Sequence, residues 1–332
     1  MKKKILVLMS LFVMATTAVA CSKQGDYYEG FISEDEGKGA PVPAGAEYAR
    51  KNKIYTPGQN MPGSAIAGDV YKHGDYVYTM KSDGWSVALQ DNVDKTKASF
   101  GEIEEEIANS PVVDLSDLFK GCTNMTVSPA IPASVKVMNN TFYDCESLLE
   151  APEFPKKTES VQYTFYNCKS MTKGTAIPEG VKDIKYIYYG CASLTELPAI
   201  PESVTAMTYA FTGCASATTA PKLPSKAKLI GFCFSDCTSL IEGPEIPETV
   251  TDMSGVFKNC TSLKTAPRIP ANVDYLTDTF NSCTSLTGTL VIDCNASNRA
   301  GCFRLVNFKE QGLTITGSST VIDKLMATGI TN

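Results

Sequence analysis

One histidine and one tryptophan occur in 332 residues. With so little imidazole, a Cys/His catalytic pair or a histidine-rich metal site has almost no material. The single histidine, His73, falls in "YKHGDY" and reads as a surface turn residue. Basic charge is short as well: 30 lysines and arginines against 36 acidic residues leave a net charge of −6. Nucleic-acid binders carry a basic patch or stripe, so this balance argues against DNA and RNA as partners. No glycine-rich phosphate loop, zinc-ligand spacing or nucleophile elbow occurs. The glutamates of "EIEEE" (Glu102, Glu104, Glu105 and Glu106) read as the solvated face of a short helix. The expectation is a protein without catalysis, cofactor or metal.

Long apolar runs are also missing. The longest, from Ile5 to Ala20, has 16 residues, short of the roughly 20 that a spanning helix needs. It follows Lys2, Lys3 and Lys4 and ends at Cys21, the layout of a signal peptide over residues 1–20. Two cleavages compete. "AVAC" resembles a bacterial lipobox, in which Cys21 is acylated and becomes the new N-terminus, although Ala18 stands where leucine is usual. Ala18 and Ala20 also satisfy ordinary signal peptidase. A cysteine right at the cut favours the first, which implies an exported outer-membrane lipoprotein exposed at the cell surface and touching the membrane only through its lipid. Losing the three lysines takes the net charge from −6 to −9.

Residues 21–68, with "SEDEGKGAPVPAGAEYAR" and "YTPGQNMPG", have no sustained period and read as the lipidated cysteine and a flexible linker. Residues 69–110 read as an N-terminal cap. There, "GDYVYTMKSDGWSVALQD" suggests two short strands around the turn "KSDG", and "SFGEIEEEIANS" suggests a short acidic helix.

What the sequence does have is cysteine, 12 in all. Eight of them, Cys122, Cys145, Cys168, Cys191, Cys214, Cys237, Cys260 and Cys283, follow one another at intervals of 23 residues without insertion or deletion. Such self-similarity is the mark of a solenoid. Three residues before each cysteine stands a phenylalanine, or Tyr188 once. Seven before it stands an apolar residue, and three after it usually leucine or methionine. Positions −7, −4, −3 and 0 relative to the cysteine make the i, i+3, i+4, i+7 set of one helix face. The residue at −1 is always Gly, Asp, Asn or Ser, types suited to ending a helix. After the cysteine, prolines exclude a long helix and predict an extended segment. The expected fold is an α/β solenoid, a leucine-rich repeat of eight 23-residue coils over residues 111–293, closed by N- and C-terminal caps. The C-terminal cap, 294–332, is expected to hold a strand from Leu313 to Thr316 and a helix capped by Ser319.

"VTAMTYAFTGCASATTAPKLP" and its copies resemble the BspA-like leucine-rich repeats of bacterial surface proteins. The resemblance implies a curved solenoid on a secreted or surface-anchored protein that binds other macromolecules, in some members host matrix proteins. This chain departs from the pattern by an extra residue seven after the cysteine, often proline (Pro198, Pro221, Pro244, Pro267), which removes ladder donors from the concave sheet.

In an exported protein cysteines suggest disulfides first. Coils stacked about 4.8 Å apart as strands, or about 8–10 Å apart as packed helices, hold equivalent cysteines wider than the roughly 3.8 Å between Cβ atoms that a disulfide needs. The eight-rung ladder is therefore expected to be buried thiols packed as small hydrophobes, with Cys233 buried beside it. Cys294 and Cys302 are the only local pair.

Two surfaces are candidate binding sites. Tyr163, Tyr186, Tyr209 and Phe232 at −5, with Tyr143, Tyr166 and Tyr189 at −2, would form an aromatic patch on the convex side of the predicted helices. Positions +5 and +8 would point outward on the concave face and carry Glu150, Glu153, Lys173, Glu196, Lys222, Glu242, Glu245 and Arg268. The reading is a monomeric surface lipoprotein whose solenoid binds a protein ligand. The alternatives are a glycan-binding accessory lipoprotein that uses the tyrosine patch and a structural spacer of an envelope assembly.

Overall fold

The structure, a computed structural model, describes residues 38–51, 53–294, 302–304, 306 and 308–317. The expected signal peptide, Cys21 and the helix after Ser319 lie outside the described residues. Two compact units result: one takes residues up to 93 together with 104–114, the other takes 94–103 and everything from 115 onward.

The first unit is a seven-stranded sheet. Its strands are β1 (Glu47–Arg50), β2 (Lys53–Tyr55), β3 (Val70–His73), β4 (Tyr76–Met80), β5 (Trp85–Leu89), β6 (Glu106–Ile107) and β7 (Ser110–Asp114), in the order β2-β1-β3-β4-β5-β7-β6. The expected hairpin around "KSDG" is β4–β5, closed by the Lys81 N–H donating to the Gly84 carbonyl at 2.9 Å. The expected linker and the expected acidic helix are both corrected. Residues 47–50 and 53–55, inside the stretch read as linker, are strands. Tyr48 is buried there, and the Arg50 guanidinium, 5% exposed, meets Asp69, 1% exposed, at 2.7 Å. The segment Glu106–Asp114 is a hairpin whose two-residue turn, Ala108 and Asn109, has φ of 47° and 55°. Two consecutive positive φ values define the tight turn whose twist suits paired strands, and they exclude a helix.

The second unit is the repeat stack, and here the predicted helical arm is also corrected. Among the described residues no helix occurs in the cysteine-centred units; the one short helix is α1 (Phe308–Gln311), beyond them. The cause is a left-handed backbone at two positions of every unit. At −1, Asp144, Asn167, Asp236, Asn259, Ser282 and the glycines 121, 190 and 213 have positive φ. So do Asp117, Asn140, Tyr163, Tyr186, Tyr209, Phe232, Gly255 and Asp278 at −5. One such residue every four breaks the i→i−4 ladder. The backbone bonds divide in two instead. In the Cys145 unit, the N–H groups of Met138, Asn140, Phe142 and Asp144 donate to the carbonyls of Ser160, Gln162, Thr164 and Tyr166 in the next unit, at 2.8–3.0 Å. The intervening N–H groups of Thr141, Tyr143 and Cys145 close three-residue turns onto Met138, Asn140 and Phe142. The cysteine-bearing arm is thus a row of tight turns hydrogen-bonded along the stack.

The interior is as the spacing predicted, because stacked turns bury the same positions that a helix face would. In the Cys214 unit, Met207, Ala210, Phe211 and Cys214 are all fully buried. The rings at −3 form a continuous column from Phe119 to Phe280, with centroids 5.2–6.0 Å apart. Phe100 (5.2 Å) and Phe303 (5.6 Å) extend the column at its two ends. On the proline-bearing arm the sheet shrinks to single parallel bridges, Glu150↔Lys173↔Glu196 and Thr219↔Glu242↔Thr265, as expected where proline removes donors. At the far end β8 (Gly288–Ile292) pairs in parallel with β9 (Leu313–Gly317), the strand expected there.

Candidate functional site

The cysteines are structural. All eight of the ladder and Cys233 are buried thiols. The Cys145 thiol donates to the Phe119 carbonyl at 3.1 Å, and the same bond to the −3 residue of the preceding unit recurs through Cys283 and Phe257 at 3.0 Å. Burial pushes these groups up, to about 11 for Cys122 and about 12 for Cys237 and Cys283, and so keeps them un-ionised and inert. Cys294 and Cys302 are both buried.

The aromatic residues are brought together, in an arrangement that sequence spacing left unresolved. Tyr163, Tyr186, Tyr209 and Phe232 stack face to face, with centroids 4.6, 4.7 and 4.8 Å apart and planes within 9°. Beside them Tyr143, Tyr166 and Tyr189 stack at 4.4 and 4.6 Å with planes within 3°. The two columns touch, Tyr186 to Tyr189 at 5.7 Å and Tyr166 to Tyr186 at 6.2 Å. All seven rings are half-buried. Burial, then the neighbouring phenols of Tyr143 and Tyr189, push the Tyr166 hydroxyl up to about 12; burial likewise raises Tyr186 and Tyr209. One end of the −2 column is closed by Lys120, whose Nζ sits 4.7 Å from the Tyr143 centroid, a contact missed in the sequence although Lys120 occupies the same −2 position. The −5 column ends at Gly255, where any Cβ would overlap the Phe232 ring.

The eight charged residues at +5 and +8 are all exposed. Parallel bridges align Glu150, Lys173 and Glu196 as alternating charges, while Glu242 lies between Thr219 and Thr265. Arg268 is drawn to one side by Glu248 (2.7 Å) and Asp293 (2.5 Å), and these two carboxylates hold its guanidinium firmly charged. Asp293 is the residue that replaces the repeat proline in the last unit, which gives that departure a structural role. His73 lies at the end of β3 with Nδ1 2.6 Å from Glu104 Oε1, so one of the acidic-run glutamates has a partner rather than a purely solvated position. Among the described residues no group of His, Cys, Asp and Glu is placed to hold a metal ion.

A profile of the BspA type leucine rich repeat region matches residues 115–239 and 158–287, in six copies. The chain belongs to the BspA-type leucine-rich repeat family. No curated protein matches it. Solved structures similar to this BspA-type chain include a T. pallidum leucine rich repeat protein, at 24% identity over 57% of this chain and 88% of that one, with a TM-score of 0.49. A leucine-rich repeat protein from Bacteroides ovatus ATCC 8483 is 20% identical over 74% of this chain and 89% of that one, with a TM-score of 0.37. A leucine rich cell surface protein from Faecalibacterium prausnitzii A2-165 is 17% identical over 78% and 97% of the two chains, with a TM-score of 0.32.

Proposed function

We propose that this BspA-type protein is a surface-exposed bacterial lipoprotein, exported by residues 1–20 and anchored through Cys21. Its eight 23-residue coils, closed by caps at both ends, form a rigid platform that binds a protein ligand as a monomer and carries out no catalysis. One observation carries the reading: the interior columns repeat the same residue types in unit after unit, while the exposed positions +5 and +8 change in size and charge. A stack built this way holds its shape whatever the outward residues are, which leaves them to set specificity.

The glycan alternative is disfavoured by the ring geometry. Sugar recognition by stacking needs open aromatic faces, and here the faces are spent on one another at 4.4–4.8 Å. The proposal is tested by protease shaving of intact cells. Solenoid peptides released before lysis support it; a chain that is cut only after lysis overturns it.

A further inference from the structure

The −5 position has a left-handed backbone in all eight units. Asp117, Asn140, Gly255 and Asp278 are types that adopt it at little cost, whereas Tyr163, Tyr186, Tyr209 and Phe232 are bulky side chains that it disfavours. Four consecutive units therefore keep aromatic residues against their local backbone preference, and strain of this kind concentrates at functional positions. What the side chains make is the ladder, with ring centroids 4.6, 4.7 and 4.8 Å apart.

Because the faces are stacked, the ladders offer a ligand mainly ring edges, which are the electropositive part of the ring. They also offer the hydroxyls of Tyr163, Tyr186, Tyr189 and Tyr209, which have no side-chain hydrogen bond to protein among the described residues. Edges and hydroxyls both attract oxygen acceptors, and neither column contains a charged side chain between its first and last ring.

We infer that the double tyrosine ladder docks a proline-rich segment of the ligand in the polyproline II conformation. This rests on the proposed function and names the partner's chemistry. Two properties select that occupant. A polyproline II segment makes no internal hydrogen bonds, so all its carbonyls are open, whereas an α-helix spends its carbonyls internally. Its repeat also fits. Three residues at about 3.1 Å each advance about 9.3 Å per turn, and the two steps from Tyr163 to Tyr209 are 4.6 and 4.7 Å. Every third carbonyl thus meets every second ring without drift. A β-strand, repeating at about 6.8 Å for two residues, comes back near a ring only at the third step and then falls short of it by about half an ångström. The segment is also preordered, which reduces the entropy lost on docking.

The test titrates the exported chain with N-acetyl decaproline amide, with a glycine–serine peptide of equal length, and with a panel of neutral glycans, followed by calorimetry. Decaproline is expected to bind, with the glycine–serine peptide about tenfold or more weaker. Tyr186→Asn with Tyr209→Asn, which suits the left-handed backbone, is expected to weaken decaproline about tenfold or more. Tyr186→Phe with Tyr209→Phe keeps the stack and removes only hydroxyls, and is expected to weaken it several-fold. Equal affinity for both peptides, full affinity in both double variants, or a glycan signal without a peptide signal overturns the inference. The proposed function fails separately, when the chain on intact cells captures no protein from the surroundings even though decaproline binds.

Discussion

The thiol of Cys260 donates a 3.1 Å hydrogen bond to the carbonyl oxygen of Phe234, one unit earlier in the stack. That carbonyl also accepts from the N–H of Cys237 at 3.3 Å, so the thiol fills its second lone pair. Cysteine suits the position because it is small, apolar and still able to donate weakly. Iodoacetamide is expected to label Cys260 only on unfolding, and Cys260→Ala to cost about 1–2 kcal/mol, since the carbonyl keeps one donor. Mass spectrometry and denaturant melts check both. Native-state labelling within minutes would contradict the burial.

Stability should fall in alkali. The folded thiols are raised, to about 11 for Cys122 and about 12 for Cys237 and Cys283, above an unfolded value near 9.0. A raised thiol contributes stability that is fully present below the unfolded value and is lost as pH rises through the folded one. Unfolding free energy is expected to be insensitive to these groups from pH 6 to 8. Above about pH 9 it should drop by up to about 1.4 kcal/mol per pH unit for each thiol. Denaturant midpoints measured from pH 7 to 11 check this.

Gly255 combines φ of +61° with the Phe232 ring lying where its Cβ would be. Gly255→Ala is expected to cost at least about 2 kcal/mol, from the left-handed backbone and the overlap together. Adding Phe232→Ala should recover the overlap part, and a thermal double-mutant cycle should show coupling of about 0.5 kcal/mol or more.

The −5 aromatics contribute little net stability by comparison with the core rings. Tyr163→Asn gives up the stack on Tyr186 and the tilted contact with Tyr166, each about 0.5–1.5 kcal/mol, and relieves a left-handed strain of about 1–2 kcal/mol. The variant is therefore expected to lie within about 1 kcal/mol of the parent. Phe165→Ala, fully buried in the core column, is expected to cost about 3–5 kcal/mol. Chemical denaturation of both variants compares them.

Much of the repeat stack was legible in the sequence because burial depends on period alone. Cysteines 23 apart, with Phe at −3 and apolar residues at −7, specify an interior column whatever the backbone between them. The conformation of that arm was misread because the buried set matches a helix face. The correcting signal was present: Asp117, Asn140, Gly255 and Asp278 recur four residues before the Gly, Asp, Asn or Ser at −1, two left-handed sites per unit where a helix permits one at its end. The aromatic patch was legible as a neighbourhood, but its face-to-face stacking follows from the spacing between stacked units, which the residue pattern does not encode. Arg268 with Asp293 and Glu248, and Arg50 with Asp69, are long-range pairs that no local pattern encodes.

Photo-cross-linking on intact cells is the most direct test of the account. A benzophenone side chain placed at Lys185, next to Tyr186 of the aromatic ladder and half-buried, reports what touches the stack. The account predicts a cross-linked protein drawn from the cell's surroundings, formed before lysis and abolished by prior protease shaving. A cross-link only to envelope proteins of the producing cell, or one that forms only after lysis, would contradict it.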